Sequence, residues 1–262
     1  MGLSINITHD PAQQRDVVQR YLTLRMGYID LHSHILFGLD DGAPDRTASL
    51  AMLDALATLG VTEQCATPHQ KASQYLPGLD AIEATFAELE TSRKPSHPTL
   101  RLAAENMWDD VLLGRIQGGA IPTYRGSRAF LVEIPPALMP PSLADQLFKL
   151  ARTGAIPVLA HPERYAALWD NDELARSLRR VCAFQIDLPA IAGFHGRRES
   201  KQARHLLESG LATVVATDAH QVGDVQQSAQ GLAWIDKKLG HATTVRLFEH
   251  APRAILAGDM PD

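Results

Sequence analysis

From Tyr28 onward the chain repeats one pattern. A short apolar run ends on a polar residue that can bind a metal or move a proton, and an amphipathic segment usually follows. The runs are Tyr28–Leu31 before His32, Thr62–Thr67 before His69, Leu100–Ala104 before Glu105 and Ala129–Val132 before Glu133. Ile156–Ala160 before His161, Ala183–Ile186 before Asp187 and Ala212–Thr217 before Asp218 complete the series. Apolar runs of this length read as buried strands, and the 3.6-residue periodicity between several of them predicts helices over Arg46–Leu59, Leu79–Ser92, Ser142–Arg152 and Glu199–Ser209. The polar run ends follow one another at 37, 36, 28, 28, 26 and 31 residues. A TIM-type barrel averages ~31 residues per βα unit and carries its chemistry at the carboxyl ends of its strands. The expected fold class is therefore α/β, a single barrel of seven parallel strands. Upstream, Asp10 as cap, Pro11 at the first helical position and an apolar stripe of Val17, Val18, Tyr21, Leu22 and Leu24 predict a helix that Gly27 closes. Residues 1–27 thus read as a helical extension and 28–262 as the barrel domain.

The strongest local signal is Asp30-Leu-His32-Ser-His34, followed by Gly38-Leu-Asp40-Asp41-Gly42. Residues i and i+2 of a strand face the same way, so His32 and His34 present two imidazoles to one point. Asp41, from the turn that follows, brings a carboxylate to the same region. An isolated His-x-His is usually a solvated pair in a loop, but here six other strand ends also carry His, Asp or Glu. His69 follows Pro68, Glu105 and Glu133 each end an apolar run, His161 opens His161-Pro-Glu-Arg164-Tyr165, and Asp218-Ala-His220 is a second i, i+2 pair. A single such acid could be a helix cap; a whole rim of acids calls for cations. Nine candidate ligands result: His32, His34, Asp41, His69, Glu105, Glu133, His161, Asp218 and His220. Imidazole and carboxylate without thiolate suit Mn²⁺, Zn²⁺ or Fe, and at about three protein ligands per catalytic ion nine residues suggest three ions. Arg164 stands beside the cluster with a guanidinium fork suited to phosphate; the alternative is an ion pair with Glu163.

Composition then narrows the classes. The chain of 262 residues has 25 Lys+Arg against 30 Asp+Glu, a net charge of −5, which argues against a nucleic-acid binder. No apolar run reaches the ~20 residues of a membrane span, and the start, Met1-Gly-Leu-Ser-Ile-Asn, shows no secretory signal. Cys65 and Cys182 lie 117 residues apart, as expected of reduced core thiols in a cytoplasmic protein. Of the 11 histidines, His9, His97, His205, His241 and His250 read as ordinary polar or helical positions. His195, in Gly193-Phe-His-Gly196, and Asp187 lie outside the ligand set, the first in a loop able to face substrate and the second in a supporting position.

Asp30-Leu-His-Ser-His, Gly-Leu-Asp-Asp-Gly42, Ala66-Thr-Pro-His69, His161-Pro-Glu-Arg-Tyr165 and Thr217-Asp-Ala-His220 resemble the PHP (polymerase and histidinol phosphatase) superfamily. Within it they are similar to the bacterial manganese-dependent protein-tyrosine phosphatases of capsule and exopolysaccharide operons. The resemblance runs from about Tyr28 to Gly258 and implies a distorted seven-stranded TIM-like barrel, the PHP fold, with three divalent ions, manganese before Zn, Fe or Mg. It implies that His32, His34, Glu105 and Asp218 hold one ion, that Glu105 bridges to a second shared with Glu133 and His161, and that Asp41, His69 and His220 hold the third. Arg164 falls on the phosphate-binding arginine. Three positions depart from the family pattern: Gln221–Gln227 lacks the arginine usual after Asp-x-His, Gln70 stands where a second histidine is common, and residues 1–27 exceed the usual start. Arg125, Arg197 and Arg198 are the candidates to replace the missing arginine.

The implied activity is hydrolysis of phosphotyrosine in proteins by attack of a metal-bridging hydroxide, with a bacterial tyrosine kinase as partner and no nucleic acid. Two other readings remain: a phosphatase of a small ester such as histidinol phosphate or a nucleotide, and a non-catalytic metal-binding regulatory module. The oligomeric state is not legible.

Overall fold

The computed structural model describes residues 27–135 and 137–261, so the helix expected within 1–26 lies outside the described residues. The apolar runs form strands β1 (Tyr28–Asp30), β2 (Val61–Ala66), β3 (His69–Gln70), β4 (Thr99–Leu102), β5 (Glu105–Met107), β6 (Ala129–Glu133), β7 (Ile156–Ala160), β8 (Ala183–Asp187) and β9 (Val214–Ala216). The larger helices are α1 (Arg46–Leu59), α2 (Leu79–Ser92), α3 (Asp110–Gly118), α4 (Leu143–Arg152), α5 (Asp172–Arg179), α6 (Leu188–Ala192), α7 (Arg197–Glu208), α8 (Val222–Leu239), α9 (His241–Val245) and α10 (Ala251–Ala257). The first two predicted helices have the expected bounds. The third begins one residue later, after Ser142, and α7 begins two residues earlier than expected.

All strand pairs are parallel, in the order β1-β2-β4 and β3-β5-β6-β7-β8-β9. The fold is α/β with parallel sheets, but the strand count differs from the expected seven, because two of the seven runs are each cut in two. The cause of the first cut is Pro68, which has no N–H to give to a ladder. Across the cuts the backbone still reaches its neighbour, with Ala103 N donating to Ala66 O at 2.9 Å and Glu105 N to Pro68 O at 3.1 Å. The register also persists: Glu63 opposes Thr99 before the cut and His69 opposes Glu105 after it, both 36 residues apart.

Strand alternation sorts the core into two layers. Ile29, Leu31, Cys65, Leu131, Val158, Ala160 and Val214 face inward in one buried cluster with Tyr124 and with Ile255 and Leu256 of α10. Tyr28, Phe130, Val132, Leu159, Phe184, Ile186 and Val215 face outward, in a second cluster with the surrounding helices. Both cysteines are buried free thiols; burial pushes the Cys182 thiol up to about 12 and Cys65 well above its usual value. Among the described residues no helix is long and apolar enough to cross a membrane.

The two sheets also meet along β1 and β9. Asp218 N donates to His32 O at 3.0 Å and His34 N to Ala219 O at 2.9 Å. Fully buried Asp30 ties this seam, accepting from Thr217 N at 3.0 Å, Thr217 Oγ1 at 2.6 Å and His32 N at 3.3 Å. Asp30→Ala removes the acceptor of two buried backbone donors, Thr217 N and His32 N, at about 1–3 kcal/mol for each unsatisfied group, while Thr217 Oγ1 keeps His32 O at 3.3 Å. Denaturant unfolding should therefore show a loss of about 2–5 kcal/mol, whereas a loss below about 1 kcal/mol would show that the seam does not depend on this carboxylate.

Candidate metal centre

The polar strand ends converge. His32, His34, Glu105, Glu133, His161 and Asp218 are all buried, while Asp41, His69 and His220 form the more open side. His32 Nε2 lies 3.2 Å from both His34 Nε2 and Asp218 Oδ1, and 3.4 Å from Glu105 Oε2. His34 Nε2 lies 3.4 Å from the same two carboxylate oxygens. His161 Nε2 reaches Glu105 Oε1 at 2.9 Å. His69 Nδ1 approaches Glu105 Oε2 at 2.9 Å and Glu133 Oε1 at 3.4 Å, while its Nε2 and that of His220 lie 3.5 and 3.6 Å from Asp41 Oδ1. All nine expected residues are thus brought to one mouth.

Partners on the far side of the rings decide which nitrogen looks inward. His32 Nδ1 pairs with Gln185 Oε1 at 3.0 Å, His34 Nδ1 with Asp40 Oδ2 at 2.8 Å and His220 Nδ1 with Asp218 O at 2.9 Å. Each acceptor assigns the proton to Nδ1 and leaves an Nε2 lone pair for the centre. Tyr165 OH, which accepts from Ile134 N, holds His161 Nδ1 at 3.3 Å. His69 differs, being packed flat against Tyr75 with ring centroids 5.7 Å apart.

The backbone is bent to this purpose. His161 and Asp218 have φ of 35° and 47°, left-handed values that non-glycine residues adopt at a cost of about 1–3 kcal/mol. The Gly38–Ala43 loop folds back so tightly that a Cβ on Gly42 would lie 2.0 Å from His34 O. Asp40 anchors that loop, accepting from Gly42 N at 3.1 Å and His69 N at 2.9 Å as well as from His34.

Can these donors hold cations? His69 Nδ1, Glu105 Oε2 and Glu133 Oε1 are buried without a hydrogen-bond partner, His69 Nδ1 lying 2.9 and 3.4 Å from the two carboxylate oxygens. Orphaned donors facing each other are what a cation would satisfy. Among the described residues four groupings have ligand atoms close enough for one ion: His34, Asp41, His69 and His220; His32, His34 and Asp218; His69, Glu105 and Glu133; and, outside the nine expected residues, Glu163, Asp187 and His195. Charge tells the same story. Burial lowers the His32 imidazole, yet Glu105 and Asp218 outweigh it and push it up to about 9. Burial likewise raises Glu105 and Asp218, and the neighbouring imidazoles, with Arg164 at Asp218, hold both well below the usual range. Burial raises Asp40 too, but His34 and the two backbone donors bring it down to about 2. Protons on His32, His34 and His69, all raised, supply positive charge to these carboxylates.

Arg164 does not pair with Glu163. Its Nη2 lies 2.6 Å from Asp187 Oδ2 and 2.5 Å from Asp218 Oδ2, with a third of the side chain exposed. Glu163 is fully buried; its Oε1 accepts from Asp187 N at 3.1 Å, and burial pushes its carboxyl up to about 7. His195 Nδ1 stands 3.5 Å from Arg164 Nη2, and burial together with that guanidinium lowers the imidazole to about 4. Of the candidates for the missing arginine, Arg125 is bound to Glu83 and lies over Phe86, and Arg198 lies over Trp169. His97, expected in a polar loop, is buried and reaches Asp54 at 2.8 Å. Sequence reasoning did not single out the roles of Asp40, Gln185 and Tyr165. For Gln185 a signal existed: the inward alternation Ala183, Gln185, Asp187 along β8 puts a polar side chain beneath the mouth.

Comparison with known proteins follows this geometry. The family described as capsular polysaccharide synthesis, CpsB/CapC, matches residues 28–257. Tyrosine-protein phosphatase CpsB of Streptococcus pneumoniae is 30% identical over 240 residues, covering 87% of this chain and 98% of that protein. Tyrosine-protein phosphatase YwqE of Bacillus subtilis (strain 168) is 31% identical over 237 residues, covering 85% and 89%. Among solved structures, one described with YwqE and CpsB as unique metal-dependent tyrosine phosphatases superposes with a TM-score of 0.79 at 25% identity, covering 89% of this chain and 96% of that one.

Because Asp40 and Gln185 set ring tautomers, Asp40→Asn or Gln185→Leu should weaken divalent-metal binding about 10–100-fold. Competition against a chromophoric chelator measures this. Unchanged affinity in both variants would remove the orienting role.

Proposed function

We propose that this chain, which belongs to the CpsB/CapC capsular polysaccharide synthesis family, is a metal-dependent phosphatase of protein phosphotyrosine. The observation that carries the reading is the trio of buried ligand atoms without a hydrogen-bond partner, His69 Nδ1, Glu105 Oε2 and Glu133 Oε1, in a mouth where Arg164 holds Asp218. The nine ligand residues would hold three divalent ions, with manganese the ion the family resemblance implies. His34 and His69 each stand in two of the three groupings drawn from these nine residues, so the ions would share ligands. We read the two sheets as one distorted seven-membered barrel. The constant register across the cuts and the hydrogen bonds of β1 to β9 support it.

When bound, divalent ions supply Lewis acidity to phosphoryl oxygens and acidify water for attack at phosphorus. The chain's own residues do the rest. Gln185, Asp40 and the Asp218 carbonyl hold three imidazoles in the ligating tautomer. Arg164, fixed by Asp187 and Asp218, offers its remaining N–H groups to the phosphoryl oxygens, where charge builds in the transition state. Neither cysteine takes part, since both thiols are buried and held neutral. The substrate would be a cytoplasmic phosphotyrosyl protein, a bacterial tyrosine kinase in the capsule or exopolysaccharide system.

One observation favours a second reading, a small phosphate monoester. Where the family pattern has an arginine, Gln221 and Asp224 form the cap of α8, with Asp224 Oδ2 accepting from His220 N and Gln221 N. The ratio of kcat/KM for a phosphotyrosyl peptide to that for small phosphomonoesters decides between them.

Exhaustive chelation should abolish phosphotyrosyl-peptide hydrolysis and added Mn²⁺ restore it, with Cys65→Ser keeping activity; persistence after chelation would sink the reading. Arg164→Lys should lower kcat/KM by about 10²-fold, the scale of removing one transition-state donor. A phosphate-release assay reads both.

A further inference from the structure

The chain carries a net charge of −5, yet one groove on its surface is basic. It encloses about 620 Å³ between α7, α8 and the loop Gly193–Gly196. Arg197, Lys201, Arg204 and His205 recur at helical spacing along one face of α7, and Trp234 and Lys238 face them from α8. One acid, Glu208, lies at the far end. Lys201 and His205 are answered by Asp170 and Asp172 at 3.5 and 2.7 Å. No carboxylate of the described residues pairs with Arg197, Arg204 or Lys238. Arg204 donates twice to Ile191 O, at 3.0 and 2.8 Å, and its guanidinium sits 5.2 Å above the Trp234 ring. Its hydrogen bonds are spent on a neutral carbonyl, so its charge is not cancelled.

The groove adjoins the metal centre. Gly193 and Gly196, at its upper end, bracket His195, which touches Arg164. From Arg197 to Glu208 the lining face of α7 spans roughly 16 Å at ~1.5 Å per residue, the length of about five residues of extended chain. We propose that this groove binds an acidic stretch of the substrate polypeptide flanking the phosphotyrosine. The proposal rests on the phosphatase reading and names its substrate class. Three cations without a carboxylate partner against the single acid Glu208, together with the Trp234 ring, match Asp- or Glu-rich peptide, and the loop at its head delivers the phosphorylated side chain to Arg164. Surface charge pairs are individually weak, so selection comes from several acting together and depends on salt.

Fluorescence anisotropy with labelled peptides tests this on the metal-loaded protein. The peptides carry a non-hydrolysable phosphonate analogue of phosphotyrosine, with Glu-rich flanks or with Gln-rich flanks. The Glu-rich peptide should bind about tenfold tighter at low salt, and the difference should vanish at high salt. The doubly reversed variant Arg197→Glu/Lys238→Glu, changed at two exposed positions, should bind both peptides equally. Equal affinities in the unmodified protein, or a preference that survives the double reversal, would overturn the groove. Hydrolysis of phosphotyrosyl peptides is measured separately. Acid-selective binding without hydrolysis would sink the phosphatase reading and leave the groove standing. Hydrolysis without acid selectivity would do the reverse.

Discussion

Four carboxylates and five imidazoles share one mouth in this molecule, most of them out of reach of water. Glu105 alone has three histidine rings within 3.4 Å and a fourth, His161, at 2.9 Å from its other oxygen. Buried charge of this density is unfavourable unless it is balanced. Without a cation the carboxylates push His32 up to about 9, His69 to about 10 and His34 well above its usual value; with cations those protons must leave. The surrounding structure keeps the side chains from relaxing away from one another. Gln185, Asp40 and Tyr165 fix the rings, and left-handed backbone at His161 and Asp218 aims two side chains into the mouth that extended strands would direct elsewhere.

The same constraint orders the fold. Strand alternation places Leu31, Leu131 and Ala160 inside, one residue before or two before a ligand at the strand end, so the apolar inner layer sits directly beneath the polar mouth. Asp30 shows the transition, since it is fully buried like the layer below and yet serves the seam above through Thr217. An apolar floor under a charged rim limits solvent and strengthens each electrostatic contact.

Much of this was legible along the chain. Each of the seven apolar runs overlaps a strand, the bounds of α1 and α2 match the expected ones, and the nine expected residues come together at one mouth. What was not legible had physical reasons. The cut at Pro68 splits a strand by removing a single N–H, a detail that hydrophobic periodicity does not register. The grouping of candidate ligands depends on which ring nitrogen faces inward, and His69 turns Nδ1 toward Glu105 where His32, His34 and His161 turn Nε2. The alternative of an Arg164–Glu163 ion pair fails because the helical turn after His161 sends the two side chains apart, one into the core and one to Asp187 and Asp218.

The basic groove lies on helices that contribute no ligand, at solvent-facing positions of α7 and α8. Substitutions at exposed helix positions usually alter stability by no more than about 0.5 kcal/mol. Which sequences the molecule prefers can therefore drift through small, independent changes on α7, while the strand ends that hold the ligands stay fixed. Chemistry and selectivity occupy different parts of the chain, so descendants of one such protein could diverge in what they act upon without passing through an inactive ancestor.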